Sequence, residues 1–497
     1  MTLGLDPERT PVLVAAAETS ERVEMVGPLD LAERVLATLL SDVPGLGAAV
    51  DRLEVVGILA GGGNAPAGEL ATRLGIKPAV TATTTVGGNS PQWLVGRAAD
   101  DIAAGRARAV LIAGAEALRS HQARRSPGAV ASRSATTTPG AAPDAVIGDT
   151  RPGLSDAEMA AGLFLPAHVY PLFESAIAHR VGRTADDHRA ELGRLMAPFT
   201  HVAATRPHAW YPEHLTAEQI ATPSPDNRIT AEPYTKRMNA VITVDQGAAI
   251  AVTSLALAQE LGVEDRCVFI WAAADASDVW FPSQRPDLAS SPAIAAASRA
   301  ALSAASSGID EVARLDLYSC FPSAVGMGAA ALGVRGDDAR GLTVTGGLPY
   351  FGGPGNNYCT HAIAAMAESL RGAPTGSIGL VTGLGWYVTK HSVGLYGSSP
   401  PPAGYRRGET DEDQKRIDAS AVPVTGDGGD GSDATVDAAT VVYDRDGSAT
   451  SAPVIATMPD GRRIVARAEP ELLADLVGRT IVGATVRVAG NPPTYRL

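Results

Sequence analysis

The sequence predicts an α/β protein of two similar layered halves, with a segment inserted between them and a small β-domain after them. Three observations predict it. Residues 12–113 alternate short strand patterns with amphipathic helix patterns, the βαβ order that calls for a largely parallel sheet with helices on its faces. The same order of elements returns over residues 267–396, as a repeat of element order rather than of letters. Between them, residues 119–261 break the alternation and are rich in Pro, Ser, Thr and charge, as an inserted domain would be. The expected boundaries are 1–118, 119–261, 262–400, a connector at 401–433 and a last domain at 434–497.

In the first half a strand at 12–17 precedes a helix with the apolar stripe Leu31, Val35, Leu36 and Leu39. A strand at 53–59, a short helix at 66–74 and a strand at 79–85 follow. Ser90 is a good N-cap, Pro91 suits the first helical turn, and Leu94, Val95, Ala98, Ala99 and Ile102 share one face, so a helix starts at Ser90 or Pro91. Its free N–H groups and positive dipole end point at the turn Gly87–Gly88, where an anion or a thiolate is favoured. The bland alternative is that two glycines simply permit a tight strand-to-helix turn. A strand at 109–113 completes the half.

The inserted segment carries helix patterns at 155–164 and 170–180. The second half then reads as a strand at 267–273, an alanine-rich helix at 291–306, a strand at 314–318 and a helix from Pro322. A strand at 342–345, a helix at 357–370 and strands at 378–381 and 393–396 complete it. The connector is rich in Pro, Gly and acid and is expected to be mobile and without regular structure. Short β runs at 436–443, 452–458, 463–467 and 481–488, separated by turns such as Asp-Arg-Asp-Gly at 444–447, suggest a small barrel of the oligonucleotide/oligosaccharide-binding shape.

At 497 residues, 45% of them apolar, the chain has the length of about three domains and ample material for large cores. A net charge of −13 argues against nucleic acid or an anionic membrane surface as the partner. Three cysteines, Cys267, Cys320 and Cys359, are too few and too odd in number for a disulfide framework and lack metal-ligand spacing, so no metal is expected. A reducing cytoplasm fits. The opening MTLGLDPERT has neither the basic start nor the apolar core of a signal peptide, and no apolar run approaches the ~20 residues that span a bilayer.

Several strings carry a family resemblance. Residues 229–263 contain Pro-Tyr-Thr-Lys-Arg at 233–237 and Asp-Gln-Gly-Ala-Ala at 245–249, and residues 208–220 read HAWYPEHLTAEQI; together they resemble the loop domain of sterol-carrier-protein-type thiolases. The strand, turn and helix that end in Gly114, Ala115 and Glu116 resemble the turn that carries the thiolase nucleophile. GGLPYFGGPGNNYCTH at 346–361 resembles the glycine turn that carries that family's Gly-His-Pro motif. With its additional last domain, the chain resembles the type-1 thiolase-like proteins. The resemblance covers about residues 10–400 and implies the thiolase fold, a place among the acetyl-CoA acetyltransferases of lipid metabolism, CoA or acyl-CoA as ligand, and no tightly bound cofactor. It leaves monomer and homodimer both open, because in dimeric thiolases the strand entering the nucleophile turn lies at the subunit interface. The last domain could also receive a protein partner.

Carried over residue by residue, the resemblance places the nucleophilic cysteine at Gly88, or at Gly87 with a one-residue slip, the activating histidine at Gly353, and the second cysteine at Val381 with its glycine at Gly383. The fourth motif reads Tyr318, Ser319, Cys320, Phe321, of which Cys320 and Phe321 match the sterol-carrier type. Thiolase-like aldolases of steroid side-chain breakdown carry a tyrosine where this chain has Tyr318. The remaining catalytic candidates are Tyr318, His361 and Cys320, and the substrate-contact candidates are Gly87, Gly88, Asn89, Gly353, Asn356 and Gly383. Each has a bland reading: Cys320 and Cys359 as small core residues, His361 facing the sheet instead of a cleft, and Asn356 and Asn357 as helix caps instead of amide donors. With the cysteine–histidine–cysteine set replaced, the expectation is a CoA or acyl-CoA binder without thiolytic turnover. The alternatives are a lyase of carbon–carbon bonds in an acyl-CoA and a structural partner of an acyl-CoA enzyme.

Overall fold

The computed structural model describes residues 5–125, 144–429 and 431–497, so part of the expected inserted segment, 126–143, lies outside the described residues. The first half runs β1 (Pro11–Ser20), α1 (Pro28–Asp42), β2 (Arg52–Val55), α2 (Pro66–Leu74), β3 (Val80–Thr84), α3 (Ser90–Ala103) and β4 (Ala109–Ala117). The stripe Leu31, Val35, Leu36 and Leu39 is buried against the sheet, as amphipathic spacing requires. The inserted segment contributes β5 (Ala145–Ile147), α4 (Pro166–Arg180), α5 (Ala185–Ala203), β6 (Ile229–Ala231) and the returning β7 (Asp245–Ser254).

Helix α5 has no counterpart among the sequence expectations, because Pro198 sits inside it and reads as a breaker. Burial of His188, Leu192, Met196, Phe199 and Ala203 along one face outweighs that local penalty. The helix expected at 155–164 shrinks to Asp156–Ala160.

The second half runs β8 (Val268–Ser277), α6 (Pro292–Ala304), β9 (Val312–Asp316), α7 (Pro322–Leu332), α8 (Tyr358–Arg371), β10 (Ile378–Gly385) and β11 (Lys390–Gly397). From the centre outward the first half is ordered β1, β7, β4, β2, β3, and the second β8, β11, β10, β9. In both halves the last strand lies antiparallel between the first strand and the penultimate one, and the outer pairs are parallel. This shared order is the thiolase fold. The halves touch edge to edge where Val12 and Leu13 pair with Phe269 and Val268, and α3 and α8 form the layer between them, packed on each other and on strands of both.

The strand expected at 342–345 does not form. The buried Asp316 carboxylate instead accepts hydrogen bonds from the Val344 and Thr345 amides and from the Thr343 and Thr345 hydroxyls, which bends this stretch out of a ladder.

The connector is ordered, against expectation. It contains β12 (Arg406–Arg407), paired parallel with β8, and α9 (Asp411–Ala419). Arg407 bridges Asp100 and Asp275, and Tyr405 donates to Asp100 at 2.7 Å, so local composition yields to tertiary ion pairing. The last domain contains β13 (Ser432–Ala439), β14 (Val442–Tyr443), β15 (Pro453–Thr457), β16 (Arg463–Ala468), β17 (Thr485–Ala489) and β18 (Thr494–Arg496). The pairings β13–β15, β15–β16, β16–β18, β18–β17 and β17–β13 close a five-stranded barrel around Val436, Val454, Ile464, Val488 and Tyr495.

The barrel is docked, not merely tethered. Strand β14 pairs with β6, the Ala439 amide donates to the Ser175 hydroxyl at 3.0 Å, and the Tyr443 hydroxyl donates to Glu232 at 3.1 Å. Glu232 also pairs with Arg189 at 2.9 Å. Among the described residues no helix is long and apolar enough to cross a membrane.

Two outcomes follow from this packing. Glu232→Ala leaves Arg189 and Tyr443 without their shared carboxylate and lowers stability by about 1–3 kcal/mol in chemical denaturation; an unchanged midpoint contradicts the docking. Because β5 of the same chain already occupies the outer edge of β3, light scattering at micromolar concentration gives a monomer, and a stable dimer would show that this edge is not closed.

Candidate functional site

The strand-to-helix turn after β3 is held from the second half of the chain. The Gly87 amide donates to Asn356 Oδ1 at 2.9 Å, and Asn356 Nδ2 donates to the Gly57 carbonyl at 2.7 Å. Helix α3 starts at Ser90, with Asn89 and not Ser90 in the N-cap position and no side-chain capping bond. Asn89 Nδ2 donates to the Ser392 hydroxyl at 3.1 Å, while its buried Oδ1 has no partner. Asn357 does not cap α8 either: its Nδ2 donates to the Gly114 carbonyl at 2.7 Å and its Oδ1 accepts from the Thr360 hydroxyl at 2.6 Å. Both asparagines therefore tie the halves together, and the capping expectation fails.

Tyr318, just after β9, is brought to the same turn. Its amide donates to the Thr382 hydroxyl at 2.8 Å, and its ring meets Tyr358 edge-on at 5.6 Å. A Cβ built on Gly88 would fall onto the Tyr318 hydroxyl and lie 2.6 Å from the Leu384 carbonyl oxygen. The volume that a side chain at the nucleophile position needs is thus filled by a phenol and a backbone carbonyl. Burial pushes the Tyr318 phenol well above its usual range, so it stays neutral and acts as a hydrogen-bond donor, not as a base. With Thr382, Gly383, Leu384 and His391, Tyr318 encloses a cavity of about 10 Å³, roughly the room for one water.

The other expected residues are placed as follows. The Gly353 amide donates to the Val241 carbonyl at 2.8 Å. Val381 is fully buried within β10. At Gly383 that strand passes the start of α3 closely: a Cβ there would sit 3.0 Å from Asn89 Cα and 3.2 Å from Cys359 Sγ. Burial pushes the Cys320 thiol up to about 12 and raises that of Cys359 as well. Neither supplies a thiolate near neutrality. His361 faces the sheet: Nδ1 pairs with Glu18 of β1 at 2.7 Å, its ring lies 5.1 Å from Phe351, and Nε2 has no partner. Burial opposes ionisation of Glu18, but His361 and Arg206 prevail and hold its carboxyl below the usual range. No hydrogen bond or ring contact of His361 reaches the Gly87–Gly88 turn or Tyr318.

Three features escape the motif reading. A groove of about 440 Å³ is lined by Tyr211, Lys236, Arg237, Asn239, Val241 and Tyr350; its Pro-Tyr-Thr-Lys-Arg string was legible as a signature but not as a wall. The groove backs onto the replaced motifs, since the Ala240 amide donates to the Cys320 carbonyl at 3.0 Å and Val241 accepts from Gly353. Glu116, at the end of β4, accepts from the Leu59 and Ala60 amides at 2.5 and 3.0 Å, and burial nevertheless raises its carboxyl to about 7. Lys390, the first residue of β11, donates to the Val86 carbonyl at 2.5 Å beside the turn. Its sequence signal was rarity, for it is one of four lysines among forty-one basic residues.

Comparison with known proteins adds to this geometry. A family model described as the additional C-terminal domain of thiolase-like protein type 1 matches residues 413–491. No curated protein matches in sequence. Among solved structures, a monomeric SCP2-thiolase-like protein type 1 from Mycobacterium smegmatis is 30% identical with a TM-score of 0.85, over 99% of this chain and 100% of its own. The dimeric peroxisomal thiolase of Saccharomyces cerevisiae is 14% identical with a TM-score of 0.58, over 80% of this chain and 98% of its own. An Ltp2-ChsH2(DUF35) aldolase is 20% identical with a TM-score of 0.59, over 78% of this chain and 97% of its own. The last two show likeness of fold alone.

Two predictions test the site. Gly88→Cys forces a side chain into the Tyr318 hydroxyl and lowers stability by about 1–3 kcal/mol, as overpacking does; adding Tyr318→Gly recovers part of it, since the Leu384 carbonyl still intrudes. A fully stable Gly88→Cys protein contradicts the packing. For Glu116 the folded carboxyl titrates near 7 against a usual 4.5, so the folded state holds the proton longer and stability falls as pH rises through that window. Glu116→Gln should reduce that fall, as read from urea midpoints across the window.

Proposed function

The chain belongs to the SCP2-thiolase-like proteins of type 1, and from that premise we propose that it binds CoA or an acyl-CoA thioester without thiolytic or Claisen turnover. The observation that carries the reading is the loop-domain groove, which leads from the cations Lys236 and Arg237 to the backbone that contacts Cys320 and Gly353. Exposed Lys236 and half-buried Arg237 suit phosphate groups, with the carboxylates Glu213 and Asp226 elsewhere on the same lining. Asn239 and Tyr350 line the groove, and their buried Oδ1 and hydroxyl have no protein partner, polar capacity that suits the amides of a pantetheine arm. No thioester can be taken up by the family route, because Gly88 offers no nucleophile and Tyr318 stands in its place. Such a protein belongs with acyl-thioester metabolism in the cytoplasm.

One observation favours a second reading. A neutral phenol at the nucleophile position can donate a hydrogen bond to a carbonyl oxygen that gains negative charge, as cleavage of a carbon–carbon bond in an acyl-CoA requires.

Calorimetric titration with CoA should give saturable binding, weakened at least about tenfold by Lys236→Glu with Arg237→Glu, while acetoacetyl-CoA with CoA yields no acetyl-CoA above background. Absence of CoA binding refutes the first reading. Product formation from an acyl-CoA panel that is lost in Tyr318→Phe moves the function to the second.

A further inference from the structure

A second cavity, of about 520 Å³, opens on the other side of the turn and shares no lining residue with the groove. Thr85, Asn89, Trp93, Asp149, Trp280 and Lys390 line it. Lys390 is 9% exposed, whereas Lys77, Lys236 and Lys415 lie on the surface. The chain uses arginine for nearly every cation, including those inside ion-pair clusters such as Arg407 and Arg206. A guanidinium cannot lose its proton in a protein, but an amine can. Among the described residues Lys390 has no carboxylate within ion-pairing distance; its hydrogen bond goes to the Val86 carbonyl.

We propose that Lys390 is an amine nucleophile that holds a small aldehyde or ketone in this cavity as a Schiff base. The amine is available: burial lowers the Lys390 ammonium to about 8, against the opposing pull of Asp149. The groups around it fit the step. Asn89 lines the cavity, and its Oδ1, buried behind that wall without a partner, can accept a hydrogen bond from the hydroxyl of the adduct once its side chain turns toward it. Asp149, held ionised by its hydrogen bond to Arg151, supplies negative charge for the cationic imine. His391 and Asp275 complete the charged and titratable lining, and Arg151 stacks on Trp280 at 3.6 Å.

In the reaction the Nζ lone pair attacks the carbonyl carbon and a proton passes from the nitrogen to the carbonyl oxygen, giving a carbinolamine. Its hydroxyl takes one proton from solvent, the C–O bond breaks, water leaves, and a protonated imine remains. No oxidant or reductant is involved. This cavity shares no lining residue with the groove assigned to CoA, so the site stands apart from the thioester reading and neither outcome decides the other.

The test is reductive trapping of the full chain with acetaldehyde and cyanoborohydride, followed by peptide mapping. At pH 8 an amine titrating near 8 has about a hundredfold more of its neutral form than a surface lysine, so Lys390 should acquire its ethyl group at least about tenfold faster than Lys77, Lys236 or Lys415. The rate should rise through pH 8, and Lys390→Arg should lose that adduct alone. Labelling of Lys390 no faster than of the three surface lysines, or none at all, overturns the proposal. That comparison is made within the unmodified protein and so does not depend on the variant folding.

Discussion

One buried amide, that of Asn356, fixes the middle of this molecule. Its oxygen takes the Gly87 N–H and its nitrogen gives to the Gly57 carbonyl, while the next residue gives to the Gly114 carbonyl. The N-terminal end of α8 is thereby fastened to the loops after β2 and β3 and to β4 of the opposite half. The Gly87 amide and the Gly114 carbonyl are shielded from water, and leaving either unpaired costs about 1–3 kcal/mol. At Gly88 a Cβ has no room against Tyr318, and at Gly383 one would be tight against Asn89 at the start of α3. The glycine at the nucleophile position is thus required by packing and not only by the turn.

The layered halves were legible because periodic burial dominates there: the stripes of α1 and α3 and the strand cores are as the sequence writes them. Legibility failed where one side chain settles a local choice. Asp316 takes amides that would have made a strand at 342–345, and Pro198 sits inside a helix that tertiary burial sustains. At the site, the absence of a nucleophile at Gly88 was readable letter by letter, whereas its replacement in space by Tyr318, some 230 positions later in the chain, was not. His361 was a candidate because helical spacing left its direction open, and Glu18, which sets that direction, lies at the far end of the sequence.

The connector and barrel show the same priority of tertiary over local signals. A proline- and acid-rich stretch reads as mobile when taken alone. Here its charges face partners: Arg407 lies between Asp100 and Asp275, and Arg299 pairs with Asp413 of α9 at 2.7 Å. The barrel then meets the inserted segment through backbone pairing and the shared carboxylate of Glu232. With β5 on the edge of β3 at one end and the barrel on β6 at the other, the chain covers with its own residues two strand edges that would otherwise invite a partner.

The electrostatics of the turn connect the lost chemistry with the proposed one. The start of α3 presents a positive dipole end, a field that favours a thiolate over a thiol. The same field disfavours an ammonium relative to an amine, in the same direction as the burial that lowers Lys390. Removing the cysteine and placing a lysine on the other wall therefore keeps the helix terminus in the same role, since in either case it increases the fraction of nucleophile that carries a free electron pair. An arginine at 390 could not respond to that field, and a lysine in open solvent would hardly feel it. Only a buried amine touching Val86 lies close enough to the helix start to be affected.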